Sequence, residues 1–334
     1  MAEYTFHTDV DFCRDGKQTG FVDVPYSEHG DAWGVLQLPI CVIKNGSGPS
    51  VYLQAGNHGD EYEGPIVLGE LIRDLEPETV QGRLIIMPAI NLPAVTAGNR
   101  VSPIDGLNFN RTFPGKSTGT TTEQISGFVH DVLFEMADVF IDLHSGGSSL
   151  KLVPSAILEP CADPDLAAKS AALVRAFDAP MQVVISNYGD PRTSTAAAVA
   201  AGLATLGTEM GGGGTVSPEA VKICRRGVQN VLRHLELLAG APEPALHPVD
   251  RYEIAGNDAY VRADDRGIFE PFHGLGTPVC AGQEAGRIHF VDNPARRPHM
   301  LTYGMDGVVY GLRQPGMVRR GNCCAVVASR VEGA

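Results

Sequence analysis

The chain has 334 residues, more than one domain usually holds, so a large domain and a smaller one are expected. Hydrophobic residues make up 43% and charged residues 19%, ordinary values for a folded globular protein that leave no room for extensive disorder. A formal charge of -13, with 26 Lys and Arg scattered along the chain, argues against a nucleic-acid partner, because phosphate neutralisation needs clustered cations.

The opening stretch "MAEYTFHTDVDFCRDGK" lacks the basic and apolar regions of a signal peptide, and no window approaches about 18 uninterrupted apolar residues. A cytoplasmic protein without a membrane partner is expected. The seven cysteines contain no C-x-x-C pair, and reduced thiols are the simplest reading. "NGS" at 45–47 reads as an Asn-Gly turn.

"VYLQA" (51–55), a helix around 64–75 and "LIIMPAI" (84–90) set the rhythm of an α/β sheet. The segment 123–137 puts Ile125, Phe128, Val129, Val132, Leu133 and Met136 on one helical face. The buried strand "VFIDLH" follows and delivers His144 at its carboxyl end. A helix near 165–178, a strand at 181–185, an alanine-rich helix near 194–202 and a strand at 203–210 continue the alternation. Ser217, Pro218 and Glu219 then start a long helix, with an apolar stripe running from Val221 to Leu238 and a stop at Gly240. After the Pro-rich connector "APEPALHPVD" the pattern changes to short strands between glycines. Residues 1–245 and 246–334 are therefore expected to form two domains, the second a small β domain with two hairpin-bearing halves.

The chemistry gathers at strand ends. "QAGNHGDEYEG" (54–64) sets His58 and Glu61 three positions apart among glycines, and His144 adds a third donor from another strand. Three His or carboxylate ligands with a position left for water are what a hydrolytic metal site uses. In an open α/β sheet such groups meet beyond the carboxyl ends of the strands. Taken alone, H-x-x-E is a weak signal. Its weight comes from "NFNRTFPG" (108–115), "DLHSG" (142–146) and "GTEMG" (207–211), which follow in order.

This ordered set resembles the succinylglutamate desuccinylase/aspartoacylase family of the zinc carboxypeptidase superfamily, and the likeness covers essentially the whole chain. It implies a zinc-carboxypeptidase-like mixed sheet flanked by helices, with a smaller C-terminal all-β domain. It also implies one zinc ion per chain on His58, Glu61 and His144, with Glu209 as acid/base. By the same resemblance Arg100 stabilises the oxyanion. Arg111 is a planar fork suited to a substrate carboxylate, and Asn110 adds a donor beside it. The donor set fits several divalent ions, with zinc the default.

Within the family, "AGNRVSPIDGLNFNRTFPG" and "EMGGGGTVSPEAV" are most similar to the bacterial branch that removes the acetyl group from N-acetyl-L-2,4-diaminobutyrate in ectoine and hydroxyectoine degradation. The rival substrates are N-acetylaspartate and N-succinylglutamate, for which Arg192 is the candidate cation. A non-catalytic small-molecule-binding protein on the same scaffold is the alternative from another class. The C-terminal domain resembles a barrel-sandwich hybrid of the biotinyl/lipoyl type but has no lysine at its hairpin tip, so no attached cofactor is expected. Its expected use is to restrict access to the site. The partner is then a small N-acyl amino acid. A homo-oligomer is compatible with the sequence, which leaves the oligomeric state open. Asp142 is a candidate to orient a metal-bound histidine. Cys323–Cys324 reads as strand packing with a vicinal disulfide as the alternative, and His273 and His289 read as surface or core residues.

Overall fold

The structure, a computed structural model, describes residues 4–185, 189–247 and 250–331. At one edge lie β1 (His7–Thr8), β2 (Gly16–Pro25) and β3 (Val35–Asn45), with β2 and β3 paired antiparallel along their length. The expected Asn-Gly turn follows β3, with Gly46 at φ 64°. β4 (Ser50–Ala55) is buried at every position. That suits a run of apolar residues lacking alternation, covered on both faces.

Next come α1 (Glu63–Asp74), β5 (Gly82–Met87), α2 (Leu92–Ala97), α3 (Thr121–Phe128) and β6 (Val139–Leu143). A capping box between Thr120 and Glu123 starts α3 slightly before the expected position. Beyond Phe128 the helix widens to a π turn over Val129–Leu133 and tightens to a 3-10 turn over Phe134–Met136. The expected face still points inward, with Ile125, Phe128, Val129 and Leu133 buried.

β7 (Leu150–Leu152) and β8 (Ser155–Leu158) are too short to carry a periodic signal and were not expected from the sequence. Then follow α4 (Pro164–Phe177), β9 (Met181–Ile185), α5 (Ser194–Ala200), β10 (Ala204–Glu209) and α6 (Pro218–His234). α6 begins as expected, with the Ser217 hydroxyl accepting from the Ala220 N–H. It ends before the predicted stop at Gly240. Glu236 takes φ 59°, its N–H donates to the Arg233 carbonyl, and the Leu237 N–H donates to the Leu232 carbonyl. These are the bonds of a Schellman end. Leu235 and Leu238 still pack on the core from the turn that follows.

β5, β4, β6 and β10 lie side by side and parallel, then β8 enters antiparallel to β10. Ala55 stands opposite Leu143, and Asp142 opposite Gly207. This register brings the carboxyl ends of β4, β6 and β10 to one level. α1, α4 and α6 cover one face over a core that includes Leu53, Leu68, Ile141, Leu173, Leu206 and Val228. On the other face Tyr52, Phe134, Phe140 and Ile125 form a second core. The mixed sheet with flanking helices is the expected fold class.

The remaining strands are β11 (Arg251–Ile254), β12 (Tyr260–Arg262), β13 (Gly267–Pro271), β14 (Pro278–Val279), β15 (Glu284–His289), β16 (His299–Thr302), β17 (Gly307–Arg313), β18 (Met317–Val318) and β19 (Cys323–Arg330). The all-β character of this region is as expected. The large sheet also runs across the connector: β11 adds in parallel to β9, and β17 pairs with β7. Met181 and Val183 consequently share a core with Ile254, Tyr310 and Val326. A separate four-stranded sheet in the order β16-β15-β13-β18 encloses Phe269, Ile288 and Tyr303. All seven cysteines are free thiols, including Cys323 and Cys324. No helix among the described residues is long and apolar enough to cross a membrane.

Candidate active site

The loop after β4 carries His58 and Glu61, and local geometry demands its glycine. A Cβ on Gly59 would sit 1.9 Å from the carbonyl oxygen of Ala94 in α2. The Gly59 N–H donates to the Asn99 carbonyl at 2.8 Å. Asp60 ties the same loop to the one after β6, accepting from both the N–H and the hydroxyl of Ser148 at 2.7 Å. The loop is thus held from two sides.

His58 and Glu61 are 3% exposed, and His144 is nearly buried at the end of β6. The Glu61 carboxylate stands between the imidazoles, with Oε1 2.7 Å from His58 Nδ1 and Oε2 2.8 Å from His144 Nδ1. One donor atom from each residue can be chosen so that all lie within 4.8 Å of one another. Each ring is also held at its other nitrogen: His58 Nε2 is 3.0 Å from Asn108 Oδ1, and His144 Nε2 is 2.9 Å from Asp142 Oδ2. Buried imidazole and carboxylate donors that converge on one point and are backed from behind fit a divalent cation.

The electrostatics are divided. Burial would raise Glu61, but the two imidazoles outweigh it and hold the carboxyl well below the usual range. Burial lowers His58. It would lower His144 too, but Asp142 and Glu61 overcome it and push that imidazole up. Glu209, at the end of β10 in the same cleft, is pushed up to about 8 by burial and then by the charge on Glu61. Its Oε2 is shielded and has no hydrogen-bond partner among the described residues. A carboxyl group held near neutrality can both take and return a proton.

Asn110 and Arg111 are aimed by the aromatics that bracket them. Phe109 and Phe113 are buried edge to face, with centroids 5.3 Å apart, and the 3-10 turn Phe109–Arg111 presents the two polar residues to the cleft. Asn110 Oδ1 accepts from the Ser194 N–H at 2.7 Å, leaving its amide NH2 available to a ligand. Arg111 Nε lies 3.3 Å from Asp190. Arg100 is half-exposed, with Nη1 3.5 Å from Glu61 Oε1. Arg192 behaves differently: it donates Nε and Nη2 to Asp190 at the surface and does not line the cleft.

The cleft has a volume of about 110 Å³. It gathers His58, Glu61, His144, Glu209, Arg100, Asn110 and Arg111, the expected donors, acid/base and substrate-binding residues, together with several that the sequence did not single out; Asp142 and Arg192, also named from the sequence, are not among its lining. Asn108 stood inside "NFNRTF" but gave no sign of touching His58. Ser194, Thr195 and Glu159 lie outside any motif and come to the site only by strand pairing and by the placement of α5. His273 and His289 lie elsewhere, bonded to Gln283 and Glu270 respectively.

Comparison with known proteins gives a consistent result. The catalytic-domain model of the succinylglutamate desuccinylase/aspartoacylase family matches residues 47–235. The N-alpha-acetyl-L-2,4-diaminobutyric acid deacetylase of Halomonas elongata is 38% identical over 323 residues, spanning 97% of this chain and 94% of the relative. A succinylglutamate desuccinylase/aspartoacylase structure from Rhodobacter sphaeroides is 42% identical with a TM-score of 0.93, over 98% of this chain and 99% of that one. The product-bound ectoine utilization protein EutE (DoeB) of Ruegeria pomeroyi is 38% identical with a TM-score of 0.94, over 98% of this chain and 100% of that one. This chain therefore belongs to the succinylglutamate desuccinylase/aspartoacylase family.

Proposed function

We propose that the protein is a cytoplasmic zinc-dependent deacetylase that hydrolyses N-acetyl-L-2,4-diaminobutyrate to L-2,4-diaminobutyrate and acetate, as a step of ectoine and hydroxyectoine degradation. The substrate follows the near full-length likeness to the Halomonas deacetylase. One structural observation carries the chemistry. A carboxyl oxygen of Glu209 without a hydrogen-bond partner among the described residues shares a cleft with the His58, Glu61 and His144 donors and with Asn110 and Arg111.

His58, Glu61 and His144 would hold the ion, and two histidines with one carboxylate match the donors of hydrolytic zinc. Bound there, zinc supplies Lewis acidity, polarising an amide carbonyl and making water a stronger acid. Glu209 accepts the proton of the attacking water and delivers it to the departing amine nitrogen. Arg100 donates to the amide oxygen as negative charge develops on it. Asn110 and Arg111 bind the α-carboxylate and so fix which carbonyl meets Glu209.

The C-terminal β region, residues 246–334, is assigned to restrict access and to brace the site. Tyr310 of β17 supports the bracing role: its hydroxyl is 2.6 Å from that of Ser155, which pairs with Glu209 across β8 and β10. The described residues that line the cleft all precede the connector.

The test is metal analysis of the purified protein and deacylation rates on N-acetyl-L-2,4-diaminobutyrate, N-acetylaspartate and N-succinylglutamate. Stoichiometric zinc and preference for the diamino acid are expected. A strong preference for a dicarboxylate would overturn the substrate assignment.

A further inference from the structure

Glu159 follows β8 on the same side of the chain as Ile157 and lines the cleft, although only 8% of it is exposed. Its Oε2 accepts from the Thr195 hydroxyl at 2.8 Å. Among the described residues it has no ion-pair partner and no second hydrogen bond. A carboxyl group buried this way is costly to ionise, and burial pushes Glu159 up to about 7 against the smaller opposing effect of Thr195. A site that keeps such a group in a ligand cleft gains most when the ligand brings the missing cation.

The surroundings describe what that cation is attached to. Gly207 forms part of the lining between Ile157 and Thr195. A Cβ there would lie 3.3 Å from Ile157 Cβ and 3.8 Å from Thr195 Cγ2, so its absence leaves room for a narrow chain. Ile157 and Ile185 add apolar lining. Thr195 directly follows Ser194, whose N–H holds Asn110. The group that reads an α-carboxylate and the group that anchors Glu159 are therefore neighbours at the start of α5. An amino acid with a short side chain ending in ammonium has this layout, a carboxylate and a cation a few bonds apart with methylenes between them.

We infer that Glu159 is the specificity residue for the distal ammonium of the substrate, accepting hydrogen bonds from it while Ile157, Ile185 and the gap at Gly207 house the methylenes. This rests on the deacetylase reading above and names how that site selects its substrate. The other charged groups facing the cleft are Arg100, Arg111, His58, Glu61, His144 and Glu209. The histidines and Glu61 face one another, Arg111 pairs with Asp190, and Arg100 approaches Glu61. With Glu209 assigned to proton transfer at the amide, Glu159 is the cleft carboxylate left to meet an incoming cation.

The test compares wild type, Glu159→Gln and Glu159→Asp on N-acetyl-L-2,4-diaminobutyrate and on N-acetyl-L-2-aminobutyrate, which has the same carbon chain without the ammonium. Removing one partner of a buried charged hydrogen bond is expected to raise KM for the cationic substrate about 100-fold in Glu159→Gln. kcat should change far less, the preference for the cationic over the neutral substrate should be lost, and a circular dichroism spectrum and metal content equal to wild type show that the variant folds. Glu159→Asp should recover part of the preference, and L-2,4-diaminobutyrate titrated by calorimetry should bind wild type and not Glu159→Gln. If wild type prefers the cationic substrate and Glu159→Gln keeps that preference, Glu159 is not the reader and the deacetylase function stands. If wild type ignores the cationic substrate and cleaves N-acetylaspartate, the functional reading falls and the role of Glu159 with it.

Discussion

Asp142 and His144 sit two positions apart at the end of β6, with Asp142 Oδ2 2.9 Å from His144 Nε2. A strand repeats every two residues, so the spacing alone puts both side chains on one face. The same carboxylate oxygen accepts from Ser194 and Asn57, which fixes the acid before it orients the imidazole. Asp142→Asn is expected to weaken metal binding about 10- to 100-fold while leaving the three donor residues in place. Competition with a chelator of known affinity measures this, and unchanged affinity would remove Asp142 from the site's design.

Glu209→Gln keeps the shape of the side chain and removes its proton chemistry. kcat is expected to fall by about 100-fold or more with metal content unchanged, since general acid–base catalysis contributes about that much. Rate assays paired with metal analysis decide the matter. Loss of metal together with rate would instead make Glu209 part of the cation's cage.

Arg111→Lys retains the charge and discards the planar fork. KM for an N-acyl amino acid should rise about 10- to 100-fold, the value of a hydrogen bond to a charged group, with a smaller effect on kcat. The same rise for an N-acyl amine lacking the carboxylate would show that Arg111 acts through packing or through Asp190.

Glu159 makes stability depend on pH without any ligand. Its folded value of about 7 lies above the ordinary 4.5, so the folded state binds the proton more tightly than the unfolded chain does. The resulting stabilisation is fully present below pH 4.5 and is lost as pH rises through 7, amounting to about 3 kcal/mol. Urea unfolding at several pH values should show wild type losing about that much relative to Glu159→Gln. Parallel curves for the two proteins would mean that Glu159 titrates normally.

A chain cut after residue 245 leaves β9 without β11 and β7 without β17, and it uncovers Leu152, Met181 and Val183. Open strand edges and bared core residues promote aggregation, so this piece is expected to be insoluble or to unfold without a cooperative transition. A soluble fragment with a sharp melt would show that the first 245 residues fold on their own.

The sequence by itself was enough for the α/β class and, through the ordered motifs that carry the family resemblance, for His58, Glu61 and His144 as candidate donors that the structure brings within 4.8 Å of one another. The class depends on local signals, since apolar runs without alternation mark buried strands; the donors depend on the order of several short motifs, since a lone H-x-x-E among glycines marks only a loop at a strand end. Asn110, Arg111 and Glu209 were legible for the same reason, each standing in a short motif. Other features arise from contacts between distant parts of the chain. Short β7 and β8 hold their conformation through the strands beside them, and the large sheet continues past the connector because β11 finds an open edge on β9. α6 stops at His234 because Glu236 adopts a left-handed turn that side-chain type does not announce. Glu159 enters the cleft because β8 lies antiparallel beside β10 and α5 delivers Thr195. Burial and pairing at such places are set by packing, and packing exists only once the chain has folded.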